Sequence, residues 1–204
     1  MAKISTVDYE AIPGKASQIR SLGQEINKEM TSAYTSLTEM HNNWYGVRYN
    51  TLVESFNNLI PQLNELLKIT VGDLPFALET AANNYAQADR GSGVVGACNT
   101  APTQIANIPV SKDVGLRFLT SEVESTKNLV SNNFKTAIEQ MNQIESVSNS
   151  IVWESEAAEA YKAKFAKLKS EIVSEFENIN SQFTTLMNQA QEDIQATENA
   201  NTVQ

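Results

Sequence analysis

HNNWYG, residues 41–46, places a large Trp in a short polar stretch, two residues before a Gly. Turns favour small or polar residues, and a Trp is ordinarily found inside an element. On both sides of this stretch, apolar residues recur at spacings of three and four. Upstream they are Ile19, Leu22, Ile26, Met30, Ala33, Leu37 and Met40. Downstream they are Leu52, Phe56, Leu59, Leu63, Leu67, Leu74, Leu78, Ala81 and Tyr85. Such spacing gathers each set on one face of an α-helix, which turns every 3.6 residues. A brief connection forces the two helices to be antiparallel neighbours, so this half reads as a helical hairpin with Trp44 at its tip.

The pattern returns in the second half. Leu119, Val123, Val130, Phe134, Ile138, Met141, Ile144 and Val147 form a third stripe. Tyr161, Phe165, Leu168, Ile172, Phe176, Ile179, Phe183, Leu186 and Ala190 form a fourth, and SIVWES, residues 150–155, stands between them. A shift of 109 residues carries Trp153 onto Trp44, Phe165 onto Phe56, Ile172 onto Leu63 and Ala190 onto Ala81. Any two amphipathic helices can be phased, but here the phase is anchored on the only two Trp residues of the chain, so we read a tandem repeat. No stretch alternates with period two, and no sheet is expected. The predicted fold is all-α: two antiparallel helical hairpins, each with a Trp-containing turn, stacked as a four-helix bundle that buries both pairs of stripes. In that arrangement each Trp ring packs on a bundle end, its indole N–H facing water or a carbonyl.

The predicted units are a first hairpin over residues 1–89, a linker over 90–112 and a second hairpin over 113–204. The linker, RGSGVVGACNTAPTQIANIPVSK, contains Pro102 and Pro109, which oppose helix, and Gly residues that favour turns. For 40-residue helices the fold-back spans ~60 Å, and 23 extended residues reach ~75–80 Å. The fold-back of the second half onto the first within one chain is feasible but nearly taut, and exchange between two chains or a parallel arrangement remains an alternative. Gly72, Asp73 and Pro75 predict a stop and restart near 70–75, with Asp73 as N-cap and the apolar register continuing through it.

Bulk chemistry excludes several function classes. A net charge of −9 opposes nucleic-acid binding, which needs a Lys/Arg surplus. No apolar run approaches the length of a membrane span, and no stripe has the basic polar face of a membrane-surface helix. The start MAKISTVDYEAIPGK has no apolar core of a secretory signal. Cys98 is the single cysteine and reads as a passive linker residue. His41 is the single histidine and reads as a helix-end or solvent-facing group rather than a catalytic base. A di-iron helical site would want Glu-x-x-His twice, which is absent, and Gly91-Ser92-Gly93 follows no strand. No catalytic residue, metal site or cofactor is expected.

With Trp44-Tyr45-Gly46 at its tip, a hairpin of roughly this length resembles the WXG100 family of small secreted helical proteins. Tyr85-Ala86-Gln87-Ala88-Asp89 is similar to that family's second mark, a Tyr followed four residues later by an acid at the end of the second helix. In the second half Trp153-Glu154-Ser155 keeps the Trp with Ser in place of Gly, and Ile194 with Glu198 keeps only the acid. The resemblance implies a substrate of type VII (ESX) secretion in a Gram-positive bacterium or an actinobacterium, exported without a cleavable signal peptide. It implies a secretion signal or recognition patch built from Trp44, Gly46, Tyr85, Asp89, Trp153, Ser155 and Glu198. In the family's antiparallel pairing, Tyr85 and Asp89 would lie near Trp153 and Ser155, and Trp44 and Gly46 near Ile194 and Glu198. The implied partners are the secretion ATPase and its machinery, and a second copy or co-secreted helical proteins. A different class stays open: a helical scaffold or chaperone kept inside the cell, whose Trp turns are only structural.

Overall fold

The structure, a computed structural model, describes residues 7–152 and 156–201. Trp153 and Ser155 lie outside the described residues. The all-α reading holds. The elements are α1 (Ile12–Met40), β1 (Trp44–Tyr45), α2 (Val47–Leu67), a π-helical segment (Lys68–Asp73), α3 (Leu74–Arg90), β2 (Arg117–Phe118), α4 (Thr120–Asn149) and α5 (Glu156–Asn201).

The expectation of no sheet is corrected by one short ladder. Trp44 pairs with Phe118 and Tyr45 with Arg117, antiparallel, and Leu119 N–H extends the contact to Asn43 O. Two residues are too few for a period-two pattern to be visible in sequence.

The long helices run antiparallel to their neighbours. Leu119 lies against Asn43, and Asn133 Nδ2 donates to Glu29 O, which sets α4 against α1. Ser131 Oγ donates to Asn180 Oδ1 and Lys169 pairs with Glu145, which sets α5 against α4. Arg48 bonds Asp193 and Gln189 at one end of α2, and Glu65 meets Lys164 towards the other. At mid-length α1, α2, α4 and α5 each contribute one ring: Tyr34, Phe56, Phe134 and Phe176 form a continuous series, with Phe134 and Phe176 stacked at 4.0 Å. Most stripe positions named above are buried, as their spacing requires.

The break near 70–75 takes a different form from the one predicted. Asp73 has helical dihedrals and no capping bond, and the chain passes through a π-helical turn without stopping. Pro75 cannot donate to Val71 O, and Arg20 Nε supplies that bond at 3.3 Å. The wider turn also shifts the register. Beyond it Leu74, Leu78, Ala82 and Ala86 are buried, whereas Ala81 is half-buried and Tyr85 is 37% exposed.

Two buried tyrosines tie α1 to α2, Tyr34 donating to Phe56 O and Tyr49 to Leu37 O. Burial pushes the Tyr49 hydroxyl from 10.0 up to about 12 and raises that of Tyr34 as well. A folded value above the unfolded one contributes stability that is complete below the unfolded value and lost as pH rises through the folded one. Urea midpoints should therefore fall between about pH 10 and pH 12, and Tyr49→Phe should flatten part of that fall. An unchanged slope in the variant would remove Tyr49 from the account.

Candidate functional site

The Trp44 tip is built from its backbone outward. Asn42 and Asn43 N–H groups bond back to Glu39 O and Met40 O, closing α1. The two-residue strand then points alternate side chains to opposite faces, which turns Trp44 fully inward, with Tyr45 half-buried. Gly46 has φ +120°, a backbone conformation that L side chains rarely adopt, and it leads into α2. This is the physical reason for the Gly two residues after the Trp.

Trp44 stacks on Phe183 of α5 at 6.0 Å and meets Phe118 and Tyr49 edge-on. Its Nε1 is buried without a protein hydrogen-bond partner, which corrects the expectation that the N–H faces water or a carbonyl. Beside the ring, Arg48 reaches Gln189 at 2.5 Å and Asp193 at 2.8 Å, so the tip of the first half abuts the C-terminal part of α5. That part of α5 leads on to Ile194 and Glu198. This end exposes several apolar side chains among charged ones: Val47 is 83% and Val114 99% exposed, and Leu116 and Leu119 are also open, with Asp113 and Arg117 beside them in sequence.

Tyr85 and Asp89 lie on α3 near its end at Arg90. Asp89 accepts a hydrogen bond from the Tyr9 hydroxyl, and Arg90 pairs with Glu10 while lying over the Tyr9 ring. The bond to Asp89 is the main reason the Tyr9 hydroxyl is raised above its ordinary value. The α1–α4 register, Leu119 against Asn43 and Asn133 against Glu29, carries Asn149 to about the level of Pro13 at equal helical rise. The end of α3 and the end of α4 therefore both lie against the first turns of α1.

One group of residues went unread in the sequence. Residues 91–116 form no helix or strand, yet their backbone is bonded along much of its length. Asn50, Asn57 and Asn64 of α2 each use the whole side-chain amide on a single residue. They accept from the N–H and donate to the C=O of Ser111, Ile108 and Ile105 respectively, at 2.8–3.1 Å. Asn83 does the same for Val95 and also accepts from Val94 N–H. Arg20 and Glu79, paired through both nitrogens and both oxygens, bind Cys98 O and Cys98 N–H between them. Ile105 and Ile108 are buried beneath this strap. His41 is the C-cap residue of α1, as its helix-end reading has it, and its side chain in addition bonds Ser111 and Asp113. The legible signal was three Asn at seven-residue spacing, 50, 57 and 64, on one side of an amphipathic helix.

Among the described residues, no group of three or more His, Cys, Asp or Glu could hold a metal, and no helix is long and apolar enough to cross a membrane. No protein-family model, curated protein or solved structure matches the chain.

Proposed function

We propose that the chain is a tandem of two WXG100-like hairpins, folded together as a four-helix bundle and exported by type VII secretion as a non-enzymatic protein that acts through protein–protein contacts. The observation that carries this reading is the antiparallel packing that sets the Trp44–Gly46 tip against the C-terminal part of α5, through Phe183, Gln189 and Asp193. Such packing within one chain is what a fused version of a paired hairpin requires. Tyr85 supports it further. An apolar-stripe residue at position 85 would be a last core residue, but the π-helical register shift leaves it at the surface one turn from Asp89. The partners in this reading are the secretion machinery and co-secreted helical proteins, met in part through the exposed Val47, Val114, Leu116 and Leu119.

A second reading, an intracellular helical scaffold, draws on the complete burial of Trp44, which serves packing without any recognition. Export separates the two. In a strain carrying the secretion machinery, wild type is expected in the culture supernatant and Tyr85→Ala in the cells, with at least about a tenfold loss of exported protein. Tyr85 is 37% exposed, so Tyr85→Ala is expected to cost less than deleting a wholly buried ring, and the variant's urea midpoint is measured beside its export. Wild type found only in the cells would refute the export reading.

A further inference from the structure

The strap over residues 94–111 is held by a device whose geometry is independent of any export role. A side-chain amide offers one acceptor and two donors, so a single Asn can satisfy both backbone groups of one residue of an extended chain. Seven residues of α-helix rise about 10.5 Å. Three residues of extended or polyproline-like chain advance about 9–10 Å. The two repeats match, and the pairs follow it: Asn50 with Ser111, Asn57 with Ile108, Asn64 with Ile105. Arg20 with Glu79 and Asn83 continue the row to Cys98 and Val95, again three residues apart. Pro102 and Pro109, which have no N–H, fall between the bonded positions. Gly72 closes the gap in the row, since a Cβ there would stand 2.7 Å from Thr100 O.

On its α1 side the strap is held at fewer points, by Arg20 on Cys98 O and Asn27 Nδ2 on Thr103 O. Cavities of about 420, 330 and 260 Å³ lie along it, lined on α1 by Asn27, Thr31, Thr35 and Thr38. Most of the recognition is directed at backbone groups, with Ile105 and Ile108 the buried side chains. Nothing in these contacts distinguishes a strap joined to its own α3 from the same strap of another molecule.

We propose that the row Asn50, Asn57, Asn64, Arg20–Glu79 and Asn83 is a docking groove for an extended segment read at every third residue in two runs, 105–111 and 95–98, filled in cis by residues 94–111 and able to take the same segment of a second copy in trans. The strap then selects between a closed monomer and an exchanged dimer.

Two full-length variants test this by complementation. Ile105→Ser with Ile108→Ser spoils the strap and keeps the groove. Asn57→Leu with Asn64→Leu spoils the groove and keeps the strap. Each alone is expected to remain at 22.5 kDa. Their mixture is expected to give a heterodimer of about 45 kDa, twice the chain mass, because only one strap and one groove are intact. Two variants with wild-type helical circular dichroism that form no heterodimer would overturn the proposal. Should either variant fail to fold, hydrogen exchange on the wild type decides. The amides of Val95, Cys98, Ile105, Ile108 and Ser111 should be protected, yet exchange at least about tenfold faster than the core amides of α2. Strap amides that exchange only together with the core would show that the groove never opens, and would also overturn it.

Discussion

Replacing Trp44 by Ala is expected to destabilise the fold by about 3–5 kcal/mol, the range for deleting a buried aromatic. A protein of this kind has only about 5–15 kcal/mol in total, so the loss is a large fraction. The ring is wholly buried and touches Phe183, Phe118 and Tyr49, which belong to or adjoin three separate elements. Its removal opens a cavity where α2, α5 and the two-residue ladder meet, and a close-packed interior fills such a space only partly. The Leu119 amide, bonded to Asn43 O, should lose exchange protection first. Trp44→Phe should cost much less, because it keeps most of the ring contacts and removes an indole N–H that has no protein partner. Urea denaturation of the two variants checks both statements, and equal losses would mean that the ring contacts a Phe keeps contribute nothing. An export defect in Trp44→Ala cannot be assigned to recognition when the fold itself is weakened. Tyr85→Ala, on the surface, is the cleaner probe.

Arg20→Met is expected to cost a further-reaching 3–5 kcal/mol or so, because breaking a buried pair strands its partner. The Arg20 and Glu79 side chains are only 18% and 5% exposed. Without the guanidinium, Glu79 keeps a buried carboxylate with only the Cys98 N–H to balance it. Val71 O also loses the Arg20 donor, and Pro75, four residues on, has no N–H to replace it. The strap should come loose near Cys98, visible as faster exchange of the Cys98 amide. Arg20→Met combined with Glu79→Leu should recover much of the loss, since an apolar pair of similar volume replaces a buried ion pair at little cost. Urea midpoints of the single and double variants test this. A single variant within about 1 kcal/mol of wild type would show that Glu79 remains hydrated, as an exposed pair would.

The export proposal and the strap proposal meet at the Trp44 end without depending on each other. His41 and Asn50 hold Ser111 there, and β2 follows six residues on to cover Trp44 through Phe118. An exchanged dimer would rebuild this end from two chains.

How far the sequence reached can be followed residue by residue. The helical stripes were legible because burial on a helix imposes a period of 3.6, and Leu52, Phe56, Leu63, Val130, Phe134, Ile172 and Phe176 are all buried where that period put them. The hairpin tip at Trp44 was legible because a Trp and a Gly cannot share a short turn without a structural reason, found in the inward ring and the φ of +120° at Gly46. The side on which Tyr85 falls was not legible. A π-helical turn changes the phase of every later residue, and beside it Arg20, far away in sequence, supplies Val71 O with the donor that Pro75 lacks. The linker was read from its Pro and Gly as irregular chain, and its dihedral preferences allow nothing more. Its attachment depends on Asn50, Asn57 and Asn64 meeting residues 41 to 61 positions away. Local preference and period are properties of neighbours in the chain, so the sequence by itself determined the helices, their apolar faces and the tip. Which amide meets which carbonyl across the molecule depends on the final distances between elements, and only the tertiary structure decided that.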